Sequence, residues 1–392
     1  MDSVRQTPPE SPLLIRWTTV AAYAVAAMVH LVTAGLFTGG VLLIVLGFRT
    51  AVQPLVGVVL LGVALLLRPR PGRLDAELPT LRHADAPALF DLVDRMADAA
   101  GVRRVDAIQL GPEFSVTVTH YGVRRKRCLV LGLPLWSAHP TRKPIAAVAH
   151  ALGHLSGRDL RGDAFVGTAL ESLNAMARTT RTGNDAYIPS GAPAHSFHAG
   201  DVAGGASLFN ARTRKGEWLL GIPRAAAAAT ARLLSWLILP ATRRAEFDAD
   251  DLAARMASTE AAVAALQDRQ LARAVGIEVH RLAIATRTFK GDRSSATAAQ
   301  EALWDKVARY SESLREKRGC DETTEPDGIG TVVGPAGLPS GPLRVARLAR
   351  VPGGGAAITL DELDRNRIED ELRRPKQVLT RKVVRDCVPL TQ

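Results

Sequence analysis

Two histidines four positions apart, His150 and His154, stand in the run AAVAHALGHLSGRD over residues 146–159. On a helix, residues four apart share a face about one turn from each other, so both imidazoles can reach a single ion. Zinc accepts two imidazoles and one carboxylate and keeps a fourth position for water. The carboxylate must come from elsewhere in the chain. The run RRAEFDADDLAA over residues 243–254 offers Glu246 and Asp250, again four apart. Glu246 suits the third ligand position. Asp250 suits a supporting role, accepting a hydrogen bond from a ligand imidazole and fixing its orientation. Read alone, the same residues also describe an exposed acidic helix face beside Arg243 and Arg244, and a lone His pair also describes a surface feature. The small residues Ala146, Ala147, Ala149, Ala151 and Gly153 permit close helix packing, and Gly153 leaves room beside an ion. A zinc pattern with its third ligand in the same run, HExxHxxGxx followed by His or Asp, fits less well. Gly157 agrees with it, but Asp159 falls one residue early and Leu160 holds the ligand position.

These residues need helices to carry them and a sheet to pack against. Pro144 after Thr141-Arg142-Lys143 suits the first turn of a helix over about 144–156. A second helix is expected over 162–178. Helix resumes near Glu217 and runs to about 256 with a kink at Pro240. Further helices are expected over 258–282 and 296–317. Upstream, Leu89, Leu92, Val93, Met96 and Ala97 recur at helical spacing over 86–100, and Gly101 comes next as a C-terminal cap. Residues 105–110, 114–120 and 128–133 read as strands, the second by its alternation (FSVTVTH). Residues 179–216, rich in Gly, Ser, Asn and His, read as a long loop. Residues 320–357 read as a Gly/Pro-rich linker. A last helix starts at Thr359, where Thr359 and Glu362 form a capping-box pattern, and ends before Pro375.

The two acidic and histidine segments, taken together, resemble the HtpX and CAAX-prenyl-protease type of zinc metallopeptidase, peptidase family M forty-eight. That family has an HExxH helix and, many residues later, an ExxxD helix, and His150–His154 and Glu246–Asp250 stand in those places. Arg158-Asp159 matches the Arg-Asp that often comes after the first motif, so the resemblance gives Asp159 a supporting role near the metal. An edge strand and then an apolar strand ending in Gly-Leu precede the motif in the family, and residues 114–120 and 128–133 keep that order. The likeness covers about residues 85–260. It implies a zincin-like domain, one zinc ion per chain held by His150, His154 and Glu246, and hydrolysis of peptide bonds.

One residue departs from the pattern. The family's HExxH glutamate takes a proton from zinc-bound water and returns it to the leaving amine. Position 151 is alanine, and a methyl group does neither. Zinc binding does not depend on that glutamate. The chain is thus expected to be an inactivated Glu-to-Ala form of a peptidase, or else a natural pseudo-peptidase that binds peptides or partners without cleaving them. For substrate, the strand at 114–120 is a candidate edge, with Ser115, Val116 and Thr117 placed to bind an extended peptide by main-chain hydrogen bonds. For oxyanion stabilisation His280 is the weak candidate, since the late His-Pro pattern common in the family is absent.

Membrane attachment is expected from the N-terminus. No charged residue occurs from Trp17 to Phe48, and a second uncharged run comes after Arg49, from Thr50 to Leu67. These read as a transmembrane hairpin, helices at about 18–47 and 51–67. Arg5 and Arg16 precede it and Arg68, Arg70, Arg73 and Arg82 come after it, with only Arg49 between, which points to both ends being cytoplasmic. The stretch 218–239 is apolar but holds Arg224 and Arg232, so it reads as a helix packed on the catalytic core or lying at the membrane surface. The net charge of +11 suits an anionic membrane. Basic residues are scattered without interleaved aromatics, which argues against nucleic acid. Cys128, Cys320 and Cys387, odd in number and widely spaced, form neither a disulfide framework nor a zinc ribbon.

The expected architecture is α+β and mostly helical. It comprises a flexible start (1–16), the membrane hairpin (17–68), a metallopeptidase domain with a small antiparallel sheet (69–318), the linker (319–357) and a C-terminal helix and tail (358–392). The expected function is a membrane-anchored zinc endopeptidase, catalytic domain in the cytoplasm, acting on peptides or membrane-protein segments.

Overall fold

A computed structural model describes residues 12–47, 52–68, 72–137, 142–156, 159–178, 217–288, 298–321, 337–350 and 356–387. The loop expected at 179–216 lies outside these, as do Arg158 and much of the expected linker. The chain forms two compact units. One takes residues 1–70 and 157–244, the other residues 71–156 and 245–392.

Helices make up most of the first unit. Helix α1 (Pro12–Leu46) and helix α2 (Val52–Leu66) form the expected hairpin. They cross at glycines: a Cβ on Gly40 would lie 2.9 Å from the Gly57 carbonyl oxygen, and one on Gly57 2.7 Å from that of Gly40. Any side chain there would force the helices apart. Ala22, Ala26 and Val29 form a helical stripe buried with Val166, Ala169, Leu173 and Leu234. Other large apolar side chains of α1 face outward, Leu31 at 72% and Leu46 at 74% exposure. Lipid tails can cover such a surface; water cannot do so cheaply.

Among the described residues, two helices are long and apolar enough to cross a membrane, Leu13–Leu46 and Gly221–Met256. The first agrees with the expected span. Helix α2 has only 15 residues, about 22 Å, short of a ~30 Å hydrocarbon core. The second candidate belongs to a 40-residue helix (Glu217–Met256, here α7) that runs through Pro223 and Pro240. Its length and hydropathy permit a span, against which Arg224 and Arg232 argue. In the first unit, α6 (Ala164–Arg178) comes between α2 and the first part of α7, whose residues from 245 on belong to the second unit.

The second unit holds a four-stranded sheet in the order β1-β2-β4-β3 (Thr80–Leu81, Ala107–Gly111, Lys126–Gly132, Val116–Tyr121). The sheet is mixed, not antiparallel as expected. Strand β4 pairs with β2 in parallel, Ala107 against Cys128 through Gly111 against Gly132, and with β3 antiparallel, Val116 against Leu131. The tight return at Gly122 (φ 70°) and Arg125 (φ 47°) folds β4 back between β2 and β3. Strand order along the chain does not reveal that insertion. Strand β3 is left as a sheet edge.

Helix α3 (Pro87–Ala100) buries Leu89, Leu92, Val93, Met96 and Ala97 as expected and ends at Gly101 in the left-handed region. After the short α4 (Leu133–Ser137), α5 (Lys143–Gly153) is buried on almost every side. The helix expected over 258–282 is two: α8 (Thr259–Asp268), capped by Ser258, and α9 (Ala272–Arg287), separated by a 3-10 turn at Arg269–Leu271. Helix α10 (Leu303–Asp321) buries Trp304, whose indole N–H donates to Thr380 Oγ1 at 2.7 Å. The expected linker contains an ordered helix, α11 (Gly341–Leu348). Helix α12 (Glu362–Asp386) passes straight through Pro375, and its N-cap is Asp361, which accepts from Asp364 N–H, not the Thr359 pair. Glu371 of α12 accepts from Ala88 and Leu89 N–H, satisfying the otherwise open start of α3. Cys128 and Cys387 are buried free thiols. Burial pushes the Cys128 thiol up to about 12.

Candidate metal centre

Helices α5 and α7 are brought together by the absence of a side chain. A Cβ on Gly153 would lie 2.7 Å from Ala249 Cα and 2.8 Å from Ala249 Cβ. Gly153 therefore makes room for the backbone of α7 rather than for an ion. This contact sits beside the residues with metal-ligand chemistry on both helices. His154, just past the last residue of α5, keeps helical backbone angles (φ −66°, ψ −16°), so the one-turn spacing from His150 holds.

The three side chains converge. His150 Nε2 and His154 Nε2 are 3.2 Å apart. Glu246 Oε2 is 3.7 Å from His150 Nε2, and Glu246 Oε1 is 3.9 Å from His154 Nε2. One ligand atom from each residue lies within 4.8 Å of the others. Tetrahedral zinc with bonds near 2.05 Å spaces its ligand atoms by about 3.3 Å, so the histidine pair already has the spacing and the carboxylate stands slightly wide. This group could hold a metal ion.

The surroundings prepare these atoms for that role. His150 Nδ1 donates to Asp250 Oδ1 at 3.0 Å, which leaves the Nε2 lone pair facing His154 and Glu246. Burial, with a smaller contribution from the Arg269 cation, pushes His150 down to about 3 against the pull of Asp250. The imidazole is therefore neutral near pH 7, the form that binds metals. Glu246 Oε2 is buried and makes no well-aligned hydrogen bond, although Arg344 Nη1 stands 2.9 Å away. A buried carboxylate oxygen without a directed donor is costly unless a cation completes it. Two imidazoles and one carboxylate at this spacing form a donor set that could hold a metal ion.

Three arginines in and around the centre carry no metal-ligand pattern in the sequence. Arg344 on α11 grips Asp250 with two bonds, Nε to Oδ2 at 2.7 Å and Nη2 to Oδ1 at 2.6 Å, and is only 7% exposed. Arg347, one residue short of a turn later, forms a second fork with Asp251 and stacks over Phe247. Together they fasten α11 to α7. A signal for Arg344 exists: Ser340-Gly341-Pro342 is a helix start, and Arg344 and Leu348 share one face of the helix it opens. Arg269, in the turn between α8 and α9, has no such signal. Its side chain keeps solvent access while lining the same cleft as His150. Burial lowers its pKa and the Arg344 charge lowers it further.

Of the other expected residues, Ala151 is 3% exposed and belongs to the apolar core. Ser115 and Val116 line a narrow cleft with His150, Asp250 and Arg269; Thr117 does not line it. Ser115 gives its carbonyl to Gly132 N–H at 2.8 Å. By the alternation of an antiparallel pair, Val116 and Val118 direct their main-chain groups away from β4, while those of Ser115 and Thr117 face it. His280 on α9 has a buried Nε2 without a hydrogen-bond partner but does not join the three-residue group. Asp159 lies in the first unit and accepts from Arg161 N–H at 3.0 Å, a turn contact. No family model, curated protein or solved structure matches this chain.

Proposed function

We propose that this chain is a membrane-anchored zinc protein on the plan of the HtpX and CAAX-protease type metallopeptidases, which with alanine at 151 holds peptides or membrane-protein segments without hydrolysing them. The observation that supports it most is the convergence of His150, His154 and Glu246 from two helices nearly a hundred positions apart, with Asp250 orienting His150. A chance His pair has no reason to meet a carboxylate that is itself backed by a buried arginine.

Zinc in such a site supplies a Lewis acid and lowers the pKa of a bound water. His150, His154 and Glu246 would hold it. Hydrolysis then needs a base beside that water, and the residue in the expected place is a buried methyl group. Asp250 cannot substitute, since His150 and Arg344 occupy both of its oxygens. The geometry therefore favours a binder over an enzyme in the chain as it stands, and an endopeptidase in a chain with glutamate at 151.

The membrane reading carries a parity constraint. His154 and Glu246 must lie on the same side of the bilayer to share an ion. The chain between them crosses an even number of times, so α7 spans only if the segment before it spans too. The arginines flanking the hairpin support a cytoplasmic side for the centre.

The test is metal content and hydrolysis in parallel. Purified protein should carry one zinc per chain, removable by chelator, and His150→Ala should lose it. Ala151→Glu, loaded with zinc, should cleave peptides from a broad library, while the parent chain does not. Protein that stays metal-free in excess zinc ends the proposal. A zinc-loaded Ala151→Glu variant without any hydrolysis removes its peptidase basis.

A further inference from the structure

Among the described residues, the centre contains one cation without a carboxylate partner. Arg344 is committed to Glu246 and Asp250. Arg269 has no carboxylate within ion-pair distance among the described residues, although it lines the same cleft as His150. Its side chain keeps solvent access, and the backbone that carries it is anchored through the preceding residue. Asp268 is 3% exposed and bound by Lys143 Nζ at 3.5 Å and Arg315 Nε at 2.8 Å. Lys143 is the first residue of α5, so the backbone beneath Arg269 is tied to the helix that carries both histidines.

The balance of charge shows what such a cation is for. Glu246 and Asp250 offset Arg344 and Arg269, so an added divalent ion leaves the cleft with an excess of positive charge. A low-dielectric cleft with that excess attracts an anion. The planar fork of a guanidinium matches a carboxylate. Ser115 and Val116 line the same cleft, and Val116 directs its main-chain groups away from β4. A peptide strand added at Val116 would therefore border the cleft that Arg269 lines.

We propose that Arg269 is a specificity-determining residue that binds a carboxylate of a peptide lying along the β3 edge. This rests on the peptide-binding reading above. A carboxylate can come from the peptide's C-terminus or from an Asp or Glu side chain, and the chemistry at Arg269 is the same for both.

The test uses zinc-loaded full-length protein in detergent and fluorescent pentapeptides of alternating alanine and valine. One is a free acid, one a C-terminal amide, and a third set consists of amides with glutamate or glutamine at each position in turn. Binding is read by anisotropy for the parent, Arg269→Gln and Arg269→Lys, with zinc content and circular dichroism measured on each. The free acid, or one glutamate peptide, should bind the parent roughly tenfold or more tighter than its neutral counterpart, since a hydrogen-bonded charge pair in a cleft contributes that much. A free-acid preference identifies the C-terminus, and a glutamate preference identifies a side chain. Arg269→Gln should erase the preference with zinc content intact, and Arg269→Lys should keep part of it. Equal binding of charged and neutral peptides to the parent overturns the inference and leaves peptide binding standing, as does a preference that survives in Arg269→Gln. If neither charged nor neutral peptides bind the zinc-loaded parent, the peptide-binding reading falls and this inference falls with it.

Discussion

Replacing Gly153 with alanine tests how the centre is assembled. The new methyl would lie 2.7 Å from Ala249 Cα and 2.8 Å from Ala249 Cβ. Carbon atoms rest at about 3.5–4.0 Å, so α5 and α7 must separate by roughly 0.8 Å or tilt. Overpacking of this kind costs about 1–3 kcal/mol of stability. The effect on the metal should be larger than that on the fold, because ligand distances tolerate only about 0.2 Å. His154 comes directly after Gly153, and Glu246 lies one turn before Ala249. The displacement therefore acts on both sides of the ion. Zinc affinity, measured by competition with a calibrated chelator, should fall at least about tenfold, as it does when outer supports of a site are lost. Ala249→Gly in the same background removes one of the two clashing atoms and should restore part of the loss. If Gly153→Ala binds zinc as tightly as the parent, the close approach of the two helices does not set the geometry of the centre.

Other perturbations separate the supporting roles. Asp250→Asn weakens the hold on the His150 ring and should lower zinc affinity by about 10–100-fold with Glu246 untouched, read in the same chelator competition. Arg344→Met leaves two buried carboxylates without their cation and should destabilise the metal-free protein by about 3–5 kcal/mol in denaturant titration, with zinc restoring part of the loss. The metal-free protein should also lose stability in mild acid. His150 has an ordinary value of 6.5 and is held at about 3 when folded, so between those values the unfolded chain takes up a proton that the folded chain refuses. Its contribution is complete above pH 6.5 and declines as the pH falls toward 3. Melting temperatures between pH 7 and 4.5 should drop more steeply for the parent than for His150→Gln; equal slopes would remove His150 as the cause.

The ligand residues and the helices that carry them are legible because helix periodicity is local. His150 and His154 share a face whatever surrounds them, and so do Glu246 and Asp250. The apolar length of residues 17–46 likewise makes a candidate span a matter of composition. Edge strand β3 is visible in its alternation, but alternation does not say which partner a strand takes. The insertion of β4 between β2 and β3, and with it the mixed sheet, comes from long-range pairing. The break at Arg269 and the continuity of α12 through Pro375 are not legible either, since propensity yields to tertiary contacts.

Sequence alone determined a set of chemical groups at helical spacing, a long apolar run near the N-terminus and the alanine at position 151. Tertiary structure decided that the groups meet. Gly153 admits Ala249, which draws the two helices into ligand distance. Arg344 arrives from a Gly/Pro-rich stretch about a hundred residues downstream to stabilise the carboxylates, and the turn that carries Arg269 is tied to α5 through Asp268 and Lys143. Each of these depends on contacts between distant segments, and no window along the chain contains both partners.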